Sequence, residues 1–392
     1  MINFQIYRQI SAIFLHFCRL LILEKIVSMY LNDNLKPHYE TDPYSALEAQ
    51  RLAQFYTFGP MMFQVARLMV KWGILEMLGE SPSTEKEVAE KAGISQYAAK
   101  CLLESSLTMH LVTVDTTSNR YSLAKVGWFL LHDKSTRVNM DFNQDVVYQG
   151  MFYLEEAFRT GQPAGLKTLG DWPTVYEGLS SLPEPASSSW FAFDHFYSDT
   201  AFDTALKVVF SKPVRHLMDI GGNTGRWAMQ CVQHDPKVQV TVVDLSQQLE
   251  LMREQTKGKD GADRIDGFAT DVLKPNFPLP THRAYDAIWM SQFLDCFSEE
   301  QISRILNRVA EVMTPDTRLY IMETFWDRQK FETAAFCLVM TSLYFTTIAN
   351  GNSKMYHSDD MITLVENAGM EVERSEDMIG LGHTILVCRK KS

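Results

Sequence analysis

The spacing of apolar residues changes along the chain and divides it into two parts. Before about residue 180 the apolar positions mostly follow a helical period, whereas from Pro213 onward short β-like runs alternate with helical stretches. Residues 45–79 predict two helices separated at Gly59-Pro60, because proline removes a helix hydrogen bond. The second of these helices is apolar around most of its circumference, which predicts burial on all sides, in part by another subunit.

Residues 84–123 predict two helices followed by a β-hairpin. Thr84 and Glu87 form a capping-box pattern at the start of the first helix, and Ser95 is a typical N-cap for the second. The runs HLVTVD and RYSL, separated by TTSN, then predict two short strands joined by a turn. This order of elements is that of a winged helix.

The second helix of this predicted winged helix lacks the charge of a DNA-reading element. Residues 95–109 carry only Lys100 and Glu104, whose charges cancel, and no Arg that could contact bases or phosphates. A scaffold or dimerisation module is therefore favoured. A winged-helix transcription regulator, which would bind DNA in a salt-sensitive manner, is the alternative.

The alternating pattern after Pro213 predicts an α/β domain. Its six apolar runs are VRHLMDI, VQVTVVDL, RIDGFATD, YDAIWM, TRLYIME and HTILVCRK. Strands that alternate with helices predict a doubly wound, parallel sheet covered on both faces. The Pro- and Ser-rich stretch 180–189 predicts a surface loop or linker, and we place the domain boundary there, between residues 185 and 186.

The strongest chemical signal is the glycine turn in HLMDIGGNTG, at the end of the first strand of this sheet. Gly221, Gly222 and Gly225 let the backbone approach a ligand, and the helix that follows favours negative charge at its N-terminus. Nineteen residues beyond Gly225, Asp244 ends the second strand, where its carboxylate can accept hydrogen bonds from two ribose hydroxyls. The spacing predicts a cofactor that contains adenosine.

Asp219, just before the turn, discriminates between adenosine cofactors. A dinucleotide site has the pattern G-x-G-x-x-G, but the first glycine position here is Ile220. A carboxylate at Asp219 would repel a pyrophosphate, whereas it suits the ammonium and sulfonium groups of S-adenosylmethionine. An NAD-dependent oxidoreductase is therefore disfavoured. Asp271, after the third strand, is a candidate contact for the adenine amino group, with a helix cap or an exposed loop position as the alternative.

Composition and charge exclude several classes of protein. The chain has 392 residues, of which 46% are apolar and 22% charged, so it can bury a large core and is not a disordered protein. It has 37 Lys and Arg against 48 Asp and Glu, and the net charge of −11 disfavours general nucleic-acid binding. The six cysteines are scattered without a C-x-x-C pair, which predicts free thiols in the cytoplasm and no metal site.

We predict that residues 1–44 are an N-terminal extension. The apolar run 10–23 contains His16 and Arg19 and is shorter than the roughly 20 residues that span a bilayer, so no membrane association is predicted. No A-x-A-like cleavage step follows it, which disfavours secretion. The turn-rich sequence NDNLKPHYETDPYS is typical of a domain lead-in, so a further hypothesis is that Met29 is the start and residues 1–28 are upstream sequence.

From about residue 50 to its C-terminus the chain resembles a family, the two-domain S-adenosylmethionine-dependent O-methyltransferases. This family includes the plant caffeate and flavonoid enzymes and bacterial relatives that modify carotenoid and polyketide-like compounds. The resemblance lies in STEKEVAEKAGIS, MDIGGNTG, VVDLS, ATDVLKPNFP and LYIMET. It implies a Rossmann-like doubly wound methyltransferase domain at residues 186–392 and a helical, winged-helix dimerisation domain at residues 45–185. It also implies a homodimer and methyl transfer to a phenol or enol oxygen.

The glycine turn and the resemblance together give a set of cofactor residues. We predict that nine residues bind S-adenosylmethionine: Tyr197, Asp219, Gly221, Gly222, Gly225, Asp244, Asp271, Val272 and Ser291. The resemblance implies that Val272 contacts the cofactor, that Tyr197 lies close to the methyl-transfer site and that Ser291 takes the position of a family lysine.

The catalytic segment departs from the family pattern. Where the family has L-H-D-W-S followed by Asp or Glu, this chain reads LDCFSE, so Asp295 takes the position of the catalytic histidine. The acid of the strand-loop LYIMET is retained as Glu323, whereas a second family carboxylate aligns with Met355. We predict Asp295 and Glu323 as the catalytic residues. His195 and His357 are candidate substitute bases, for which a structural role is favoured.

The missing histidine restricts the reaction that we predict. An unperturbed Asp, with a pKa of about 4, is about six pKa units too weak to deprotonate a phenol, which corresponds to about 8 kcal/mol. Alignment of the reacting atoms, or an acidic enol or carboxylate as acceptor, would reduce this cost. We predict methyl transfer to a hydroxyl or acidic oxygen of a small aromatic or conjugated metabolite. The alternative is a catalytically silent cofactor-binding scaffold or sensor.

Overall fold

The N-terminal part of the chain is helical and contains a winged helix. A computed structural model of the protein describes residues 29–391; the apolar run 10–23 lies outside them, and its interpretation stays a prediction. The helices before the hairpin are α1 (Lys36–Tyr39), α2 (Ala46–Thr57), α3 (Gly59–Lys71), α4 (Ile74–Glu80), α5 (Glu85–Ala92) and α6 (Gln96–Thr108). The hairpin consists of β1 (Val112–Asp115) and β2 (Arg120–Leu123), which pair antiparallel.

The predicted caps set the boundaries of the winged helix. The Thr84 hydroxyl accepts a hydrogen bond from the Glu87 backbone N–H, and the Glu87 carboxylate accepts one from the Thr84 N–H at 2.7 Å. The Ser95 hydroxyl accepts from the Ala98 N–H and begins α6. The winged-helix prediction is confirmed in its element order.

The burial on all sides that was predicted for the second helix is found only in part within one chain. Of the thirteen residues of α3, three are buried, Ala66, Met69 and Val70, and the described structure buries no residue of α2. The predicted second helix also included α4, whose Ile74, Leu75 and Leu78 are buried, so the expected burial on all sides is found for part of it within the single chain. Apolar side chains on α2 and α3 face solvent among the described residues.

Helices join the winged helix to the sheet domain. They are α7 (Lys125–His132), α8 (Lys134–Phe142), α9 (Leu154–Thr160), α10 (Val175–Gly178), α11 (Ala186–Ser198) and α12 (Phe202–Val209). The prediction of a linker over residues 180–189 is wrong in its second half, because α11 already begins at Ala186. Ser189 is buried, and its hydroxyl donates a 2.7 Å hydrogen bond to Asp145. A composition rich in Ser did not reveal this buried contact.

The C-terminal part is a seven-stranded sheet with the order β5-β4-β3-β6-β7-β9-β8. Its strands are β3 (His216–Ile220), β4 (Gln239–Asp244), β5 (Ile265–Ala269), β6 (Ala287–Ser291), β7 (Arg318–Glu323), β8 (Met370–Ile379) and β9 (His383–Lys390). Strands β3 to β7 are parallel, whereas β8 and β9 pair antiparallel. The doubly wound fold is confirmed; β8 was not predicted, and the sheet is mostly rather than wholly parallel.

Helices cover both faces of the sheet. They include α13 (Arg226–His234), α14 (Ser246–Thr256), α15 (Glu299–Val312) and α17 (Ser358–Asn367), whereas α16 (Glu332–Tyr344) contributes Tyr344 to a separate apolar cluster with Phe142. Helices α15 and α17 pack on one face, and α12, α13 and α14 pack on the other. Because β3 has β4 on one side and β6 on the other, the winding direction reverses at β3, and a crevice opens at the carboxyl ends of these strands.

One helical stretch of the described part, Glu332–Ala349, is long and apolar enough to cross a membrane by length and composition. Within the structure 39% of this stretch is buried, and core helices of globular proteins have the same properties. Its Tyr344 and Ile348 belong to an apolar cluster with Phe142, against which Cys296 packs. This cluster joins the helical part of the chain to the carboxyl edge of the sheet.

Candidate functional site

The conformation and packing of the glycine turn require residues without a side chain. Gly221 and Gly225 have φ values of +76° and +75°, a conformation that other residues rarely adopt. A Cβ on Gly221 would collide with the Phe293 ring, and one on Gly222 would lie 2.5 Å from the Asp219 Oδ2 atom. Gly225 begins α13 without a side-chain cap, so the first N–H groups of that helix have no capping side chain.

Asp219 lies beneath this turn with an unsatisfied carboxyl oxygen. It is 2% exposed, and its Oδ2 atom has no hydrogen-bond partner. Burial, and then the charge of Asp244, raise the pKa of Asp219 to about 8. A cationic ligand group beside this carboxyl would restore its ionised form, whereas a phosphate would not. The geometry thus fits the positive charges of S-adenosylmethionine, as the sequence predicted.

Asp244 is held next to the turn by two backbone hydrogen bonds. Its Oδ2 atom accepts from the Asn223 N–H at 2.8 Å, and its Oδ1 atom accepts from the Leu245 N–H at 2.7 Å. Burial raises the pKa of Asp244, and these two hydrogen bonds oppose the shift. Each carboxylate oxygen has a second lone pair, so the fixed side chain can still accept ribose hydroxyls.

Three further polar atoms at this edge are buried without partners, and sequence reasoning missed them. They are Trp227 Nε1 on α13, Thr270 Oγ1 just after β5, and Gln292 Oε1 just after β6. Gln292 also has a φ of +46°, which is strained for a residue with a side chain. Buried polar atoms are nearly always hydrogen-bonded, and a polar ligand at the carboxyl edge of the sheet could supply the missing partners of these three.

The remaining predicted cofactor residues vary in what they contact. Asp271 accepts a hydrogen bond from the Leu273 N–H at 3.0 Å, which is a loop-turn role compatible with its structural alternative. Val272 packs against the core on the α15 face, and Ser291 is the last residue of β6. The Tyr197 hydroxyl donates to Asn139 in the helical part at 3.0 Å. Their roles in cofactor binding stay predictions.

Asp295 and Glu323 lie together at the carboxyl ends of β6 and β7. The Glu323 Oε1 atom accepts hydrogen bonds from the backbone N–H groups of Phe293 at 3.1 Å and Leu294 at 2.8 Å. These bonds fix the turn Leu294–Cys296, in which Asp295 accepts a 3.5 Å hydrogen bond from the Cys296 thiol. The predicted cap on α15 is Ser298 with Gln301, so Asp295 is not needed as a cap.

Burial makes both carboxyl groups weaker acids than usual. Asp295 is 6% exposed, and burial, together with the charge of Asp194, raises its pKa to about 7. Glu323 is 2% exposed, and burial, followed by the charge of Asp295, raises its pKa. Ionising both neighbouring carboxyl groups at once is unfavourable, so the loss of a proton by one of them raises the pKa of the other. Near neutral pH one of the pair can therefore accept a proton.

The two histidine candidates do not join this pair. His195 is exposed on α11. His357 is 7% exposed; its Nε2 atom lies 2.7 Å from the Tyr30 carbonyl oxygen, and its Nδ1 atom accepts a 3.1 Å hydrogen bond from the Asp359 N–H. His357 therefore attaches the N-terminal segment to the start of α17, which is the structural role that the sequence favoured.

Comparisons with known proteins find a match for each of the two parts of the chain. A Dimerisation2-like domain model matches residues 50–121, and an O-methyltransferase domain model matches residues 196–371. The chain is 27% identical over 270 residues to 3-hydroxy-5-methyl-1-naphthoate 3-O-methyltransferase of Streptomyces sahachiroi, which covers 68% of this chain and 75% of that protein. The apo crystal structure of the S-adenosylmethionine-dependent methyltransferase SibL matches with a TM-score of 0.65 and 22% identity, over 86% of this chain and 98% of that chain. At 22% identity, the similarity to SibL shows a shared fold only.

A third relative is larger than this chain. It is a human probable bifunctional dTTP/UTP pyrophosphatase/methyltransferase protein, 26% identical over 261 residues. The match covers 64% of this chain but 40% of the human protein. The similarity therefore reaches only part of that relative.

Proposed function

Because the chain belongs to the two-domain S-adenosylmethionine-dependent O-methyltransferases, we propose that Asp295 is the base that takes the proton of the acceptor hydroxyl. The enzyme acts on a small aromatic or conjugated molecule with S-adenosylmethionine as its cofactor. One observation carries the proposal: Asp295 is buried beside Glu323 at the end of β6, and burial raises its pKa to about 7. The gap to a phenol is then about three pKa units, or about 4 kcal/mol, rather than six.

Different residues of this chain bind the cofactor, accept the proton and position the base. When bound, S-adenosylmethionine supplies an electrophilic methyl group on a positively charged sulfur. Asp219, whose buried Oδ2 atom has no hydrogen-bond partner, would face the positive charges of the amino-acid part, and Asp244 would hold the ribose. Asp295 would accept the proton of the acceptor hydroxyl. Glu323 is a positioning residue, because it holds the turn that carries Asp295 through two backbone N–H groups.

Transfer of labelled methyl groups distinguishes this proposal from the silent scaffold. The purified protein would be incubated with S-adenosylmethionine carrying a labelled methyl group and a panel of phenols and enols. We expect labelled product, together with thermal stabilisation by S-adenosylhomocysteine but not by NAD. Tight binding of S-adenosylhomocysteine without any labelled product would favour the scaffold or sensor, which the missing histidine motivates.

We also propose that the protein is a homodimer. The Dimerisation2-like domain model matches residues 50–121, and this region presents apolar side chains to solvent in the single chain. Tyr56, Phe58 and Met61 are 74%, 52% and 66% exposed. Light scattering after size exclusion should give twice the chain mass of 44.9 kDa. A monomer at micromolar concentration would contradict the proposal.

We propose the cytoplasm as its compartment. The five cysteines of the described residues are free, and Cys231 and Cys388 are buried. Free thiols of this kind are typical of proteins in reducing compartments. Mass spectrometry of the protein from its natural source would test this, since disulfides between these cysteines would contradict it.

A further inference from the structure

Acidic and aromatic side chains surround Asp295 and Glu323. The charge of Asp194, on α11, raises the pKa values of Asp295 and Tyr344, and the charge of Glu323 raises the pKa of Cys296. Among the described residues, no Lys, Arg or His forms an ion pair with Asp295 or Glu323, whose hydrogen bonds come from backbone N–H groups and from the Cys296 thiol. Neither carboxyl group is therefore paired with a basic side chain.

Glu323 has one oxygen that the fold does not use. Its Oε1 atom holds the turn, but its Oε2 atom is buried and has no hydrogen-bond partner. A buried carboxylate oxygen without a partner is costly, and structures retain one mainly where a ligand satisfies it. The position next to the proposed base makes an acceptor molecule the natural partner.

Aromatic side chains flank the same turn. The Trp190 indole donates a 2.7 Å hydrogen bond to the Tyr344 hydroxyl, and the Tyr344 ring lies 5.0 Å from that of Phe142. The Tyr176 hydroxyl is buried beside the Cys296 thiol without a well-aligned hydrogen bond. Aromatic rings next to carboxylates are the usual environment for an organic cation, because both attract positive charge.

We propose that the methyl acceptor carries a basic nitrogen, protonated in solution, that binds the free Oε2 atom of Glu323 while the acceptor hydroxyl faces Asp295. The proposal rests on the function proposed above and names the class of substrate for the same site: a hydroxylated aromatic amine. A positive charge there satisfies the buried carboxylate. It also stabilises the oxyanion that forms as the hydroxyl loses its proton, which eases the task of Asp295.

The same surroundings oppose an anionic acceptor. The sequence suggested a carboxylate as one suitable acceptor, since such a group needs no strong base. In the structure that carboxylate would lie beside Asp295 and Glu323, where burial already disfavours the ionised form of both groups, and a further negative charge in a buried site would be repelled. The structure therefore favours a cationic over an anionic acceptor.

Matched small probes test the proposal. Every probe is a benzene ring with one hydroxyl and one further substituent. The three compounds compared, hydroxybenzylamine, ethylphenol and hydroxybenzoate, differ only in that substituent, and each is used as its ortho, meta and para isomers. Binding would be measured by calorimetry with the full-length protein saturated with S-adenosylhomocysteine. We expect the best amine to bind at least about tenfold more tightly than its ethylphenol partner, and the hydroxybenzoate to bind weakest.

Two variants identify the residue responsible. Glu323→Gln keeps the shape and an oxygen that can accept from the backbone, so it should fold, and it should reduce the preference for the amine to less than about twofold. Glu366→Gln, at an exposed position of α17, is the matched control and should keep the preference. Circular dichroism of both variants would verify the fold.

The outcomes separate this inference from the proposed function. Equal or weaker binding of the amines, no binding of any probe at millimolar concentration, or an unchanged preference in Glu323→Gln would overturn the inference. Labelled methyl transfer to a neutral or anionic acceptor, with no preference for amines, would also overturn it while leaving the methyltransferase function intact. Absence of any methyl transfer, with the amine preference present, would instead contradict the proposed function.

Discussion

Asp295→Asn removes a proton acceptor while keeping almost the same volume and one carbonyl-type oxygen. If Asp295 is the base, the variant must transfer the hydroxyl proton to water or to a more distant group. General bases typically contribute roughly 10²–10⁴-fold to a rate, so we expect the turnover of Asp295→Asn to fall by that factor. Affinity for S-adenosylhomocysteine should change little, because Asp219 and Asp244 bind the cofactor in our proposal.

The pH dependence gives a second readout with a definite sign. Burial raises the pKa of Asp295 to about 7, and only the ionised form accepts a proton, so activity should rise with pH through about 7 and be lost below it. Stability should change in the opposite direction. In the unfolded chain the pKa is about 4, so the protonated carboxyl stabilises the fold fully below about pH 4, and this contribution is lost as pH rises through about 7.

Asparagine carries no charge at any pH, so Asp295→Asn does not lose this contribution to stability as the pH rises. At about pH 8, Asp295→Asn should unfold at the same temperature as the parent protein or at a higher one. The assay combines steady-state rates with labelled methyl donor, calorimetric affinity for S-adenosylhomocysteine and a thermal melt. Asp263→Asn, at an exposed position, is the control and should match the parent in all three measurements. Full turnover in Asp295→Asn, or a large drop in its melting temperature at pH 8, would refute the reasoning.

Three other changes test separate parts of the structure. Gly221→Ala places a Cβ against the Phe293 ring at a φ of +76°, so affinity for S-adenosylhomocysteine should fall at least about tenfold with unchanged circular dichroism; unchanged affinity would show that the turn does not approach the cofactor. His357→Ala removes the contact with the Tyr30 carbonyl, so limited proteolysis should cut the N-terminal segment before the sheet domain, and equal cutting rates would contradict this attachment. Ser298→Ala deletes the N-cap of α15 and should cost about 1 kcal/mol in a denaturant melt, with an unchanged value counting against the cap.

The parts of the fold that the sequence predicted depend on neighbours in the chain. The capping box at Thr84 and Glu87 satisfies backbone groups within four residues, and the glycine turn needs its φ values whatever surrounds it. Asp244 follows from the length of one strand-helix-strand unit. Such features are determined locally, so their sequence patterns are sufficient to identify them.

The features that were missed depend on residues distant in sequence. Strand β8 has alternating charged positions and pairs only with β9, at the edge of the sheet, so its pattern resembles a surface loop. The partnerless atoms of Thr270 and Gln292 become informative only when burial is known. The same holds for Asp295, whose sequence position marks it as a candidate, whereas its pKa of about 7 results from burial and from Asp194, about one hundred residues earlier.

Replacing a histidine base by a buried aspartate changes the charge of the site while keeping a similar proton affinity. An imidazole of ordinary pKa is neutral before it accepts a proton and positive afterwards, whereas Asp295 is negative before and neutral afterwards. With a pKa of about 7, Asp295 is close to an ordinary histidine in its affinity for the proton. The site is therefore one unit more negative at every stage of the reaction. Asp295→His should then restore much of the turnover lost in Asp295→Asn but weaken the preference for amine-bearing acceptors, since the added negative charge would be gone. A His variant that is as inactive as the Asn variant would show that proton acceptance at this position does not limit the reaction.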